Sequence, residues 1–117
     1  MRVIYVAGKF TAPDTWRRLR HVRAAETLGY AVAELGAMPL IPHANTTSFD
    51  GTFTAEFWYA GTLELLRRCD AMILVPGWEG SRGVAAEIEE AKNLMIPIFE
   101  RVDELKIWLA TSEKETA

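Results

Sequence analysis

The sequence predicts an α/β protein, a three-layer sandwich on a parallel sheet of four or five strands in the order 2-1-3-4. Three observations carry this expectation. Short apolar runs, suited to strands buried on both faces, alternate with segments of helical periodicity in the order β-α-β-α-β-α-β-α. The most apolar of the runs, Ala71 to Val75, stands third, where a central strand is expected. Right-handed crossovers then leave few arrangements, and the favoured one reverses direction between the first and third strands.

Each element has its own signal. Val3 to Ala7 is an apolar run closed by Gly8 and reads as the first strand. Pro13-Asp14-Thr15 offers helix-start chemistry, with a carboxylate near the positive end of the helix dipole. Trp16, Leu19, Val22, Ala25, Leu28, Val32 and Leu35 follow at three- and four-residue spacing, an amphipathic helix of about five or six turns stopped at Gly36. Gly29 inside that helix costs ~1 kcal/mol against Ala, so a close packing contact is expected there. Met38 to Ile41 is the second strand, ended by Pro42, and His43 to Thr52 reads as a polar loop. Thr54-x-x-Phe57 opens a second helix running to about Arg68, with Phe57, Ala60, Leu63, Leu65 and Leu66 on or near its buried side. After the third strand, Pro76 to Gly83 is a tight glycine-bearing loop. A third helix follows from Val84 to Leu94, then a strand at Pro97-Ile98-Phe99 and a last helix from Val102 to Ala110. Residues 1–110 read as one domain, and 111–117 as a polar tail expected to fray.

Composition narrows the function. The 117 residues carry 16 acidic and 13 basic side chains, a net charge of −3, which argues against a partner that is a nucleic-acid polymer. Cys69 is the single cysteine, so no internal disulfide forms, and no Cys/His spacing suggests a metal or other bound cofactor. No apolar run approaches the roughly 20 residues of a membrane span. Lys9 interrupts the N-terminal run before it reaches a signal-peptide core, so a reducing cytoplasm is the expected location.

In a sheet of this order ligands bind beyond the carboxyl ends of the strands, at the reversal. The segments meeting there are Gly8 to Pro13, Pro42 to Thr52 and Gly77 to Gly83. The strongest local signal is Gly77-Trp78-Glu79-Gly80-Ser81-Arg82-Gly83-Val84-Ala85-Ala86-Glu87. Its glycines let backbone turn sharply and approach a ligand, and the helix start that follows offers free N–H groups to an anion or a sugar hydroxyl. The same pattern also serves as an ordinary strand-to-helix connection.

Tyr5-Val6-Ala7-Gly8, Cys69-Asp70 before a hydrophobic strand, and Gly83-x-x-x-Glu87-x-x-x-Ala91 together resemble the nucleoside 2-deoxyribosyltransferase family. Pro42-His43 and Pro76-Gly77-Trp78-x-x-Ser81-x-Gly83 bring the chain nearest to that family's small phage and bacterial branch, over roughly residues 3 to 99. The resemblance implies a flavodoxin-like, Rossmann-like fold and N-glycosidic chemistry on a nucleoside or nucleotide, by transfer or hydrolysis. By position, Glu87 is the expected nucleophile, forming a covalent sugar ester, and Tyr5 orients it or the sugar. Gly8 is expected to give the base room. Ser81 and the backbone N–H groups of the 77–83 loop, with Gly77, Arg82 and Gly83, are expected to contact sugar or phosphate, and Trp78 to stack on a base or cover the site. One departure is plain: the transferases carry an aspartate eight residues ahead of the one matching Asp70, and this chain has Thr62 there. Without it, a non-catalytic nucleotide-binding module of the same fold is the alternative reading.

Other residues admit two readings each. His43 is an acid, a base, a stacking wall or a structural hydrogen-bond partner. Asn45 and Thr46 read a base edge or form a turn. Asp50 and Glu56 are candidate proton donors, or merely cap and solvate. Arg17, Arg18, Arg20 and Arg23 meet a phosphate or form a solvated helix face. Trp16, Trp58, Tyr59 and Trp108 are assigned to core or subunit contacts. Phe57-Trp58-Tyr59 cannot all be buried by one helix face of a monomer, so a homo-oligomer using this helix is expected.

Overall fold

The computed structural model describes residues 1–49 and 51–111. Its elements are β1 (Val3–Ala7), α1 (Thr15–Glu34), β2 (Met38–Leu40), α2 (Pro42–Asn45), a 3-10 turn (Thr47–Phe49), α3 (Ala55–Arg67), β3 (Ala71–Leu74), α4 (Arg82–Asn93), β4 (Ile98–Phe99) and α5 (Val102–Thr111). The four strands are parallel and ordered β2-β1-β3-β4, as the alternation predicts.

Side chains alternate across the central strands and divide the core in two. Ile4, Val6, Ala71 and Ile73 face Ala25 and Val32 of α1 and Leu105 of α5. Tyr5, Ala7, Met72 and Leu74 face Leu66 of α3 and Val84 and Ala91 of α4. Helices on both faces of a fully buried pair of strands complete the three layers. At the opposite end from the strands' carboxyl termini, Asp70 accepts from Val3 N at 2.8 Å and pairs with Arg2 at 3.8 Å, which ties the start of β1 to the start of β3.

The local signals hold at most boundaries. Asp14 caps α1 by accepting from Arg17 N, Thr54 caps α3 through Phe57 N, and Gly36 ends the first helix region at φ +88°. A Cβ on Gly29 would lie 2.5 Å from Ile41 Cδ1, the close contact its presence in a helix predicts.

Two expectations are corrected. Pro42 begins a short helix and Thr47 a 3-10 turn, where a polar loop is expected from 43 to 52, because Pro is pre-organised for a first helical turn. The apolar stripe of α1 is buried only at Val22, Ala25, Gly29 and Val32, while Trp16 is 71% exposed and Leu19 51%. Length explains this: the 20-residue helix spans ~30 Å, whereas the 5-residue β1 spans only ~17 Å, so its first turns overhang the sheet. No helix among the described residues is long and apolar enough to cross a membrane.

Candidate active site

A cavity of about 790 Å³ opens at the carboxyl ends of β1, β2 and β3, on the α3–α4 face. That volume suits a small-molecule ligand. Lys9, Phe10 and Thr11 reach it from the end of β1, His43 and Phe49 from the segment after β2, Trp58, Tyr59 and Thr62 from α3, and the start of α4 closes it.

Glu87 lies in the second turn of α4 and turns its carboxyl onto the cavity wall, at 9% exposure. The Tyr5 hydroxyl, from the middle of β1, donates to Glu87 Oε2. No other bond to that carboxyl occurs among the described residues, which leaves Oε1 open. Burial raises the Glu87 pKa to about 7, and the Tyr5 hydrogen bond partly offsets this by favouring the charged form. Burial, then the neighbouring Glu87, holds the Tyr5 phenol far above its ordinary range, so it remains a proton donor. Tyr5 is fully buried and sits behind Glu87 rather than on the cavity wall.

The start of α4 is built for exposed backbone donors. Gly80 takes φ +87°, Ser81 caps the helix by accepting from Val84 N at 3.3 Å, and Ala85 N bonds Ser81 O at 3.0 Å. The N–H groups of Arg82 and Gly83 have no backbone acceptor among the described residues. Ser81, Arg82 and Gly83 all line the cavity.

His43 is buried at 8% exposure. Its Nε2 lies 2.8 Å from Lys9 O and therefore carries the hydrogen that it donates, and its ring meets Phe10 edge-on at 5.4 Å. The other nitrogen, Nδ1, is buried with no partner among the described residues. Burial lowers the His43 pKa, so the ring is neutral, and it latches the loop after β1.

The cavity thus brings together Gly8, His43, Ser81, Arg82, Gly83 and Glu87 of the sequence-predicted site. Four others lie off it, Tyr5 directly behind Glu87. Asn45 lines a separate hollow with Pro39, Ile41 and Leu65. Trp78 packs its ring on the α3–α4 side of the core, and Gly77 serves the turn at φ +88°. Gly8 lines the cavity, but the space its missing Cβ leaves is filled by Val75, whose Cγ2 would lie 2.7 Å away. Room for a base is therefore not what its missing side chain provides. Of the candidate acids, Glu56 is exposed on the first turn of α3 outside the cavity, and Asp50 lies outside the described residues. Arg17 pairs with Asp14 at 3.3 Å and Arg23 with Glu26 at 4.0 Å, and no arginine of α1 lines the cavity.

Trp58 and Tyr59, assigned from sequence to core or subunit contacts, stand in the cavity wall. The Trp58 ring stacks on Phe49 at 5.8 Å and its Nε1 donates to Thr52 O at 2.6 Å. Phe53 and Phe57 stack beside them at 5.1 Å and remain 78% and 54% exposed. Thr62 also lines the cavity, with its hydroxyl donating back to Trp58 O at 2.6 Å. No group of three metal-ligating side chains occurs among the described residues.

Residues 2–100 match the profile of a family described as Domain of unknown function (DUF4406). No curated protein matches the chain. Among solved structures, the 2-deoxyribosyltransferase of the psychrotolerant bacterium Bacillus psychrosaccharolyticus has the same fold, with a TM-score of 0.63 and 19% identity over 89% of this chain and 90% of that one.

Proposed function

We propose, for a chain that belongs to the DUF4406 family and has the 2-deoxyribosyltransferase fold, that it acts at the N-glycosidic bond of a nucleoside or nucleotide with Glu87 as nucleophile. The observation that carries this reading is the Glu87 carboxyl itself. It is buried on the wall of a ligand-sized cavity, held through Oε2 by Tyr5 and open at Oε1.

That arrangement suits a substitution at an anomeric carbon. Oε1 attacks the carbon, the carbon–nitrogen bond breaks, and its electron pair leaves on the base, which takes a proton from solvent. The product is a glutamyl–sugar ester. A second base or a water then attacks the same carbon, the attacking N–H or O–H losing its proton to solvent, and the ester's electron pair returns to Glu87. A carboxylate also stabilises the oxocarbenium-like charge between these states. The Tyr5 hydroxyl holds the carboxylate in position and favours its ionised, nucleophilic form.

A second reading rests on two observations. Glu87 is the sole carboxylate among the described residues lining the cavity, so no second acid stands ready to protonate a leaving base. The transferase aspartate is replaced by Thr62, whose hydroxyl is committed to Trp58 O. Both would suit a module that binds nucleotides without turnover. Incubation with deoxynucleosides and their monophosphates separates the two. Free base that appears with the wild-type chain and disappears with Glu87→Ala supports the enzyme. Saturable binding with no base released, indifferent to Glu87→Ala, supports the module.

A further inference from the structure

We infer that Tyr59 is the acid–base residue of the cavity: its hydroxyl gives the leaving base a proton as the glycosidic bond breaks and recovers one from the incoming nucleophile. The inference rests on the glycosidic reading above and deepens it.

The first ground is elimination. Cleavage of the carbon–nitrogen bond leaves an electron pair on the base, and a proton delivered there by a placed side chain speeds the step by about 10²- to 10⁴-fold. No second carboxyl lines the cavity among the described residues. Three other donors on its wall are spent: His43 Nε2 on Lys9 O, Trp58 Nε1 on Thr52 O and the Thr62 hydroxyl on Trp58 O. The alcohols that remain, Ser81 among them, are far weaker acids than a phenol, and the Arg82 guanidinium keeps its proton. Tyr5 is shut out as well, because it sits behind Glu87 with its hydrogen committed to Oε2. Lys9 and Tyr59 are the acids left.

The second ground is position. Ala55, Trp58, Tyr59, Thr62 and Leu63 face the cavity from α3 at three- and four-residue spacing, one stripe of the helix. Tyr59 follows Trp58, whose ring stacks with Phe49 in a wall suited to a planar base. Burial and Glu87 lead the causes that hold the Tyr5 phenol far above its ordinary range, and Tyr59 is among them, so Tyr59 reaches the neighbourhood of the nucleophile. Lys9, from the loop after β1, has no such link.

The third ground is exposure. Tyr59 is 47% exposed, and its hydroxyl makes no hydrogen bond among the described residues. Its proton is therefore free to exchange with solvent between turnovers, which that of the buried Tyr5 is not.

The electrons balance in both halves. Glu87 Oε1 attacks the anomeric carbon, the carbon–nitrogen pair moves onto the base, and the Tyr59 proton follows it. The charge lost from the carboxylate in forming the ester reappears on the phenolate. In the second half the phenolate takes the proton of the attacking O–H or N–H, and the ester's pair returns to Glu87. The solvent proton thus reaches the base by way of Tyr59.

The test compares leaving groups. Base release is followed from 2′-deoxyguanosine against 7-methyl-2′-deoxyguanosine and from 2′-deoxyuridine against 5-fluoro-2′-deoxyuridine, each as nucleoside and as 5′-monophosphate. The second member of each pair has a better leaving group, which needs less help from an acid. In Tyr59→Phe, with unfolding stability equal to wild type, kcat/KM should fall about 100-fold or more for the poorer leaving group and less than about tenfold for the better one. Lys9→Ala should not distinguish the members of a pair. No loss in Tyr59→Phe, a loss equal across a pair, or a leaving-group dependence that appears in Lys9→Ala instead would each overturn the inference. In those cases base release by the wild type that vanishes with Glu87→Ala keeps the glycosidic reading standing. No release by the wild type from any of these compounds sinks that reading, and the inference with it.

Discussion

The hydroxyl of Tyr5, on one of the two central strands of the sheet, donates to one oxygen of Glu87, which lies 82 residues further along the chain on a helix. Both residues are buried, so each is held to a single rotamer by packing, and the carboxyl's second oxygen is the one left to the cavity. This link between strand and helix joins the core to the proposed chemistry, and its removal should be readable in kinetics.

Tyr5→Phe keeps the packing and deletes the donor that favours the charged form of Glu87. A hydrogen bond to a charged group is worth about 1.5–3 kcal/mol, and 1.36 kcal/mol corresponds to one pH unit. The Glu87 pKa therefore rises further from about 7. The acid limb of kcat/KM for base release should move alkaline by about 1–2 pH units, with activity partly recovered at high pH. An unshifted limb with uniformly lower activity would show that Tyr5 does not tune this carboxyl.

Glu87→Gln should abolish base release and stabilise the fold at neutral pH. Burial places the folded-state pKa of Glu87, about 7, above its ordinary value of 4.5. The folded form thus binds more protons between those values, and wild-type stability falls as pH climbs from 4.5 toward 7. Above that window the penalty is constant, on the order of 3 kcal/mol. Glutamine keeps the shape and the acceptor for Tyr5 without the charge. Urea denaturation should show the variant more stable than wild type at pH 8 and nearly equal at pH 4; equal stability at both would mean that the carboxyl is better solvated than its position implies.

Two glycines should respond differently to alanine. On Gly8→Ala the new Cβ would stand 2.7 Å from Val75 Cγ2 and 2.8 Å from its Cβ, where neither strand can yield, so a loss of about 1–3 kcal/mol is expected. On Gly29→Ala the 2.5 Å neighbour is the tip of Ile41, which can rotate, and the helix gains ~1 kcal/mol. Thermal unfolding should place Gly8→Ala well below wild type and Gly29→Ala close to it.

The two glycines also show what the sequence makes legible. A glycine inside a helical pattern signals a close neighbour without naming it, and Ile41 could not have been chosen over other residues before the fold was known. The strands were readable because burial on both faces leaves an unbroken apolar run, as in Ala71 to Leu74. Glu87 was reachable through the resemblance of Gly83-x-x-x-Glu87 to a family motif; helix geometry alone allows a residue one turn in to point over the strand ends but equally suits a solvated glutamate. Trp58 and Tyr59 were not, since an aromatic run on a short helix has the same pattern whether it faces a cavity or another subunit. Asn45 and Trp78 fell on the right loops but point elsewhere, and loop membership alone does not set direction.

His43 gives the pH dependence opposite in sign to that of Glu87. Burial lowers its pKa, and its buried Nδ1 has no acceptor within the described residues to receive a proton. The unfolded chain therefore binds a proton at this residue more readily than the folded one as pH falls through its ordinary value of 6.5. Stability contributed by the neutral ring is full above 6.5 and declines on acidification. In the wild type this decline runs against the gain from Glu87, which flattens the profile between pH 5 and 7. Removing Glu87 should unmask it, so Glu87→Gln should become steadily more stable from pH 5 to 7. Adding His43→Gln to that variant, at some cost from the lost latch on Lys9 O, should flatten the profile again. If the slope persisted without His43, another group would have to be its source.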